Sequence, residues 1–229
     1  MEIINVRITF IEGILGTSSN DKEIYSNFIA NKAPNAQTAE EEIAAIGVDG
    51  VVEKGTTVFP RLEDGTPFLY DYQMKGFFKD TCSMLSKLTV KDPETGRKGK
   101  AVNESSKITA FKKVIDGLIF VQPRKIPFKF DGDITICQRP LRAQTAQGER
   151  VALSSSEEIP AGAQIEFQIV CMSAEHVAAV KEWLDYGYWR GIGQWRNSSK
   201  GRFVHELLDE EGKVIGGNMF LKDVYQKGT

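Results

Sequence analysis

The sequence predicts an α+β fold, and three observations support that prediction. Residues 3–11 (IINVRITFI) alternate apolar and polar side chains after Asn5, which is the period of a half-buried strand. Residues 162–172 (GAQIEFQIVCM) alternate in the same way and predict a central strand. Elsewhere apolar residues recur with the 3.6-residue period of helices, so strand–helix–strand units occur twice along the chain.

The first quarter of the chain predicts a helical insertion, residues 17–55, after the first strand. One short helix is expected from Asp21. A second is expected from Thr38, where TAEE has the pattern of a capping box, and Gly47 supplies its stop.

A strand ending at Pro60 and a helix with Asp71 as its N-cap are predicted next. The apolar positions of this helix share one face, namely Met74, Phe77, Phe78, Thr81, Cys82 and Leu85. Gly76 lies in its first turns, where glycine costs about 1 kcal/mol relative to alanine. We therefore expect a backbone or a ligand to approach the helix closely at Gly76.

The middle of the chain predicts a basic loop and hairpin insertion, residues 89–150. Residues 89–107 are polar without an apolar face and predict a mobile loop. A helix around residues 108–115 and an apolar strand, LIFV, follow. Three prolines in the segment after LIFV confine its strands to sheet edges or hairpin arms.

The last quarter predicts a helix from Ser173 that ends at Gly187, with Val177, Val180, Trp183 and Leu184 on one face. Residues 188–203 (YWRGIGQWRNSSKGRF) follow as a glycine-rich loop. A hairpin around residues 211–212 and a last strand, NMFLKDVY, complete the prediction.

Composition narrows the class of protein. Of 229 residues 41% are apolar, which is enough for the core of a single domain. No apolar run approaches the roughly 20 residues of a membrane span, so we expect a cytoplasmic protein without membrane contact. Three widely spaced cysteines without histidine at ligand spacing predict neither disulfides nor a metal site, and no cofactor is expected.

The net charge of -2 hides a split along the chain. Residues 1–60 carry 4 basic and 9 acidic side chains, whereas residues 97–150 carry 12 basic and 5 acidic ones. A local basic face on a weakly acidic protein can bind phosphates, although a solvated lysine-rich surface accounts for the charges equally well.

The glycine-rich loop combines the residue types that single-stranded nucleic acid requires. Glycines expose backbone amides, basic side chains take phosphates, and aromatic rings stack on bases. The candidate contacts are Arg190, Gly191, Gly193, Trp195, Arg196, Lys200, Gly201 and Arg202. Trp189 is a further stacking candidate, but packing beside Trp183 in the core is the alternative for it, and pairing with Glu206 or Asp185 is the alternative for the arginines.

Two further groups are candidate phosphate contacts. Lys75 and Gly76 lie at a predicted helix start, which favours an anion. The segments QPRKIPFKF and QRPLRAQT each resemble an arm along a phosphate backbone, with Arg124, Lys125, Arg139 and Arg142 as contacts. For each of these side chains, a solvated surface position is the alternative.

Three fragments resemble the RAMP superfamily, the repeat-associated proteins of CRISPR systems. PFLYDYQMKGFFKDT resembles the strand end and Lys-Gly pair that open the family's first helix, GIGQWRNSSKGRF resembles its C-terminal glycine-rich loop, and VRITFIEGILGT resembles its first strand. The resemblance implies one RAMP-like domain over residues 1–229, with a ferredoxin-like or RRM-like antiparallel sheet and helices on one face. The chain also resembles uncharacterised bacteriophage proteins, which implies the cytoplasm of a bacterial host cell.

The sequence departs from the family at two points. Ser199 replaces the first glycine of the family's Gly-x-Gly before the last strand. The helical insertion displaces any acid of the first loop, so nuclease activity is not carried over. His205 is a weak candidate for the general acid or base that RAMP-type ribonucleases use.

Three functions remain open on these grounds. The first is non-catalytic binding of single-stranded nucleic acid, RNA more than DNA, with oligomerisation along the strand. The second is a metal-independent endoribonuclease using His205. The third is a phage self-assembly or interaction protein, a homo-oligomer in which the acidic N-terminal region contacts the basic face of the next copy.

Overall fold

The computed structural model describes residues 1–19, 56–91, 98–100, 103–145 and 148–218. Most of the predicted helical insertion, residues 20–55, lies outside the described residues, and so does the predicted last strand after Asn218. The acidic segment expected to contact another copy lies largely in the first of these ranges.

The larger sheet of the described part has seven strands, and every strand pair in it is antiparallel. Their spatial order is β14 (Val214–Gly217), β13 (Phe203–Leu208), β1 (Glu2–Phe10), β12 (Gln164–Cys171), β9 (Lys125–Lys129) and β5 (Phe68–Tyr70), with β8 (Ile119–Gln122) also beside β12. The pairing of Val6 with Phe167 and of Ile8 with Ile165 sets the register of the two central strands.

Four helices accompany this sheet: α1 (Asp71–Leu85), α2 (Glu104–Lys107), α3 (Phe111–Leu118) and α4 (Val177–Arg190). The chain runs β1, α1, β8, β12, α4, β13, and these core strands lie side by side as β13, β1, β12 and β8. This is the double strand–helix–strand arrangement of a ferredoxin-like fold. The predicted α+β class, with an antiparallel sheet and helices on one face, is confirmed.

The core lies between the helices and one face of the sheet. Alternate residues of β1, from Ile4 to Phe10, are buried there, because successive side chains of a strand point to opposite faces. Phe78 of α1 and Trp183 of α4 are fully buried and their rings lie 5.5 Å apart. Burial of such rings is the main stabilising contribution in this region.

A second sheet of the described part has a long hairpin as its main feature. It contains β2 (Ile14–Leu15), β3 (Ser18–Ser19), β4 (Thr57–Val58), β10 (Thr135–Thr145) and β11 (Gly148–Ile159). The strands β10 and β11 pair along their whole length, whereas β2 and β4 contact only the base of β11, from Ser156 to Ile159. The outer part of the hairpin therefore has no further strand partner among the described residues, as expected for a proline-containing arm.

The prediction of a loop without regular structure at residues 89–107 is wrong in part. Strands β6 (Thr89–Lys91) and β7 (Lys98–Lys100) form a hairpin, and α2 follows. Polar contacts instead of an apolar face hold α2: Ser105 donates from its backbone nitrogen and its hydroxyl to Glu182, and accepts from the indole of Trp183. Because these partners are distant in sequence, hydrophobic periodicity did not indicate them.

Two predicted helix ends also differ. Tyr70, not Asp71, is the N-cap of α1, and Gln73 completes a capping box there. The last helix continues past Gly187 to Arg190. Gly187 has a packing role instead, because a Cβ there would lie 2.1 Å from Cζ of Phe203. None of the described helices has the length and apolar content that crossing a membrane requires.

Candidate nucleic-acid interface

The glycine-rich loop, residues 188–203, comprises the last turn of α4 and the connection from α4 to β13. It lies beside the start of β2 and the base of the long hairpin. Gly191 ends α4 with φ +68°. A single 3₁₀ turn, Arg196–Ser198, follows, and the residues before and after it, Trp195 and Ser199, both adopt the left-handed conformation. Ser199, with φ +65°, thus takes a conformation that favours glycine.

Two glycines of the loop, Gly191 and Gly201, serve internal packing, which corrects the expectation that their amides turn outward. The amide of Gly191 donates to Gly187, and the amide of Gly201 donates to Gly13. A Cβ at Gly201 would lie 1.9 Å from the carbonyl oxygen of Ile192, so the two arms of the loop cross in direct contact. The amides of Gly191 and Gly201 are therefore not available to a phosphate.

Two predicted arginines of the loop share one carboxylate on α1. Nε of Arg190 lies 2.9 Å from Asp80 and Nη1 of Arg196 lies 2.7 Å from the same oxygen. Burial by itself raises the pKa of Asp80, but the hydrogen bonds and charges of the two arginines outweigh it and hold that pKa below its ordinary value. The expected partners Glu206 and Asp185 are not the ones used; Glu206 lies 3.2 Å from Arg7.

The other two predicted cations of the loop also have partners. Lys200 forms an ion pair of 2.5 Å with Glu158 of β11. Arg202 donates from Nε to the carbonyl of Tyr188, and its guanidinium lies 4.7 Å from the Tyr188 ring and 5.8 Å from the ring of Trp189.

Arg139 of the hairpin belongs to the same cluster. It is only 8% exposed, donates to Gln194 at 2.6 Å, and lies 5.3 Å from the ring of Trp195. Its Nε and Nη1 have no hydrogen-bond partner among the described residues. The expected exposed arm is therefore wrong for Arg139, while the backbone of Arg142 lies further out in β10.

The three tryptophans have different environments. Trp183 is fully buried, whereas Trp189 is 57% exposed and Trp195 is 39% exposed. Trp189 packs edge-on against Tyr188 instead of beside Trp183 in the core. Both exposed indoles lie in the glycine-rich loop, each with a guanidinium near its ring.

The remaining predicted cations lie apart from the loop, at the start of α1. Lys75 has its Nζ 4.7 Å from the ring of Phe120, Arg124 lies 5.8 Å from the ring of Tyr70, and Lys125 lies 5.4 Å from the ring of Phe68. Gly76 is exposed on the same helix as Lys75, one turn before Asp80, which contacts Arg190 and Arg196 of the loop.

His205 lies inside the protein on β13 and is 3% exposed. Burial lowers its pKa to about 4, so the ring is neutral at neutral pH. Its Nδ1 has no hydrogen-bond partner within the part of the chain that the structure describes, and it lies 3.8 Å from the carboxylate of Asp185. Within the described part of the chain, no cluster of three or more histidine, cysteine or acidic side chains is placed to hold a metal ion.

Sequence reasoning missed Asp80 and the aromatic partners Tyr70, Tyr72 and Phe120. Asp80 lies more than 100 positions from its arginine partners, so the sequence carries no local signal for these contacts. The pair Tyr70 and Tyr72 at a helix start was a usable signal, because the two rings stack on each other there and Arg124 lies near Tyr70.

Comparison with known proteins finds similarity at the level of structure only. No protein-family model and no curated protein matches the sequence. Among solved structures, the chain is similar to a chain of the cryo-EM structure of the type III-B Cmr-beta complex bound to cognate target RNA, with a TM-score of 0.47 and 12% identity. The match covers 90% of this chain and spans 58% of that chain.

Proposed function

We propose that this protein binds single-stranded nucleic acid, RNA in preference to DNA, and does not cleave it. One observation supports the proposal most: the glycine-rich loop exposes Trp189 and Trp195, and each indole has a guanidinium near its ring, at 5.8 and 5.3 Å. The preference for RNA rests on the resemblance of three sequence fragments to RAMP proteins.

Exposed indoles beside arginines are suited to unpaired bases. Each base that stacks on an aromatic side chain contributes about 1 to 3 kcal/mol, and only a single strand presents free base faces. A duplex hides those faces, so the two indoles favour a single strand.

The charge around the loop favours a polyanion even though several cations are paired. Arg190, Arg196 and Lys200 share the two carboxylates of Asp80 and Glu158, whereas Arg139 and Arg202 form no ion pair within the described residues. The cluster therefore keeps an excess of positive charge. Ion pairs that hold arginines in place also reduce the entropy lost when a phosphate binds.

The position of His205 supports binding without cleavage. A ring that is 3% exposed and has a pKa of about 4 neither reaches a phosphate on the surface nor carries a proton to it at neutral pH. The endoribonuclease alternative therefore loses its candidate residue.

We further propose that copies bind side by side along one strand. The outer part of the β10–β11 hairpin extends beyond Ser156, where β11 pairs with Thr57 of β4, and it carries Arg142. Sedimentation with RNAs of increasing length checks this: the number of copies per RNA should rise with length, and one copy on every length contradicts it.

A salt titration of binding to a labelled single-stranded RNA tests the proposed function. We expect affinity to fall steeply with salt, with a log–log slope of about -0.7 for each phosphate contacted. Arg202→Ala should weaken binding and reduce the slope by about 0.7, because one phosphate contact is lost. Lys112→Ala removes an exposed cation on α3 and serves as the matched control, with binding as in the wild type.

Two results would overturn the proposal. If affinity does not change with salt, phosphate contacts do not contribute to binding. If Arg202→Ala and Lys112→Ala bind equally well, the glycine-rich loop is not part of the binding site. The same titration with DNA of matched sequence checks the preference for RNA. Loss of full-length RNA during the assay would contradict binding without cleavage.

A further inference from the structure

A patch of aromatic rings and cations lies at the start of α1, apart from the glycine-rich loop. We define this aromatic–basic patch as Tyr70, Tyr72, Lys75, Phe120 and Arg124. The rings of Tyr70 and Tyr72 stack at 5.1 Å with an angle of 18° between their planes. Tyr72 is 56% exposed and Phe120 is 38% exposed, so ring surface remains in contact with solvent.

The cations of the patch lie against these rings. Lys75 contacts Phe120 and Arg124 contacts Tyr70, and the side chain of Arg124 is 73% exposed. The carboxylate of Asp71 lies 3.8 Å from Nη1 of Arg124, which is long for an ion pair. The patch therefore offers positive charge next to open aromatic surface.

Gly76 lies beside the patch, and no contact within the described protein explains why this residue is a glycine. A Cβ at Gly76 would meet no atom within 4 Å, so neither packing nor a left-handed backbone requires glycine there. Glycine inside a helix costs roughly 0.5 to 1 kcal/mol relative to alanine. A ligand backbone lying close to α1 explains why a side chain is absent at this position.

The outer face of α1 connects the patch to the loop. Residues four apart lie on one face of a helix, so Tyr72, Gly76 and Asp80 form a stripe. Asp80 contacts Arg190 and Arg196 of the loop. From Tyr72 to Asp80 the rise along the helix is about 12 Å.

The charges around the patch favour a bound strand that runs along α1 towards the glycine-rich loop. Phe120 and Arg124 also border a groove of about 1120 Å³ on the uncovered sheet face, and four carboxylates line it as well, those of Asp71, Glu166, Asp209 and Glu210. Those carboxylates repel phosphates, whereas the path along α1 leads towards the cations of the loop.

We propose that the aromatic–basic patch is a second contact for the same single-stranded nucleic acid. Unpaired bases stack on Tyr72 and Phe120, Lys75 and Arg124 take the adjacent phosphates, and the strand continues past Gly76 to the glycine-rich loop. This inference rests on the proposed function and adds to it a class of contact, base stacking, at a place that the sequence indicated only by its cations.

Binding of a fluorescein-labelled single-stranded RNA to four variants of the full chain tests the inference. Tyr72→Ala and Phe120→Ala should each weaken binding by about 5- to 150-fold, the equivalent of one lost base stack. Tyr72→Phe keeps the ring and should stay within about twofold of the wild type. Met84→Ala removes a side chain that is 40% exposed at the far end of the same helix, and should bind as the wild type does.

Gly76→Ala provides a test with two readouts of opposite sign. The variant should melt at a higher temperature, because alanine favours the helix, and should bind the RNA more weakly, because its methyl group meets the strand. A variant that binds as the wild type does contradicts close approach at Gly76. A melting point below that of the wild type contradicts the open space around it.

The outcomes separate this inference from the proposed function. Unchanged binding of Tyr72→Ala and Phe120→Ala, with Arg202→Ala still weakened, overturns the patch and leaves the loop in place. No binding by the wild type removes both. If Tyr72→Ala and Phe120→Ala lose as much affinity for a duplex of the same sequence, base stacking is overturned. If poly-glutamate at equal charge displaces the RNA, the patch binds acidic protein instead. Parallel measurements with DNA show whether the patch distinguishes the two sugars.

Discussion

Asp80→Asn tests whether Asp80 holds the glycine-rich loop in place. Asp80 receives two charge-assisted hydrogen bonds, at 2.9 Å from Arg190 and 2.7 Å from Arg196. All three side chains are about one quarter exposed. The substitution removes the charge and keeps the size and one acceptor oxygen, so steric effects stay small.

The expected loss of stability lies between two limits. A fully exposed ion pair contributes about 0.2 to 1 kcal/mol, and a hydrogen bond to a charged group contributes about 1.5 to 3 kcal/mol. Two bonds at one quarter exposure, discounted for solvent screening and for the acceptor that remains, give about 1 to 2 kcal/mol. For a chain of this length that corresponds to a fall in melting temperature of roughly 2 to 8 °C.

Urea denaturation at pH 7 measures the difference, and Asp116→Asn is the control. Asp116 forms an ion pair of 2.6 Å with Lys79 but is 56% exposed, so its substitution should cost less than about 0.5 kcal/mol. Because the pKa of Asp80 is lowered in the folded protein, its contribution is present above the unfolded pKa near 3.8 and is lost as pH falls through the folded value. Equal losses in the two variants at pH 7 would refute the reasoning.

Two further substitutions test the packing and the buried histidine. Gly187→Ala should destabilise the protein by about 1 to 3 kcal/mol despite the higher helix propensity of alanine, because its Cβ overlaps the fully buried ring of Phe203; a higher melting temperature would contradict that packing. His205 has a folded pKa of about 4, below the ordinary 6.5, so the unfolded chain binds more protons and stability should fall by up to about 3 kcal/mol from pH 6.5 to pH 4. In His205→Gln this part of the pH dependence should disappear from urea denaturation curves, and an unchanged pH profile would show that His205 is not the group responsible.

Much of the fold could be predicted because apolar side chains recur with the local periods of strands and helices. The alternation in β1 and β12 and the apolar face of α1 follow from contacts that repeat every two or three to four residues. The spatial order of the strands needed the family resemblance, since the alternation of a strand does not identify its neighbours.

The site was harder to predict because its geometry depends on distant contacts. The identities of Arg190 and Arg196 were visible in the sequence, but the carboxylate that orients them is on another helix. The glycines of the loop indicated a cradle of free amides, whereas the amides of Gly191 and Gly201 are used in internal hydrogen bonds. Composition therefore predicted a binding loop without predicting which groups remain free to bind.

Ser199 takes a backbone conformation that favours glycine. Its φ is +65°, in the left-handed region. The surrounding loop holds this non-glycine residue in the left-handed conformation. The amide of Ser198 donates to the carbonyl of Trp195, and the amide of Ser199 donates to the carbonyl of Arg196. Sequence alone shows the serine but not the contacts that tolerate it.

Tryptophan fluorescence with an unlabelled single-stranded RNA tests the central claim most directly. Trp183 is fully buried, so a ligand that stacks on the loop should quench only the emission of Trp189 and Trp195. We predict saturable quenching in the wild type and its loss in Trp189→Phe/Trp195→Phe, with Trp183 still emitting. Saturable RNA binding without quenching, or equal quenching in the double variant, would contradict base stacking on the glycine-rich loop.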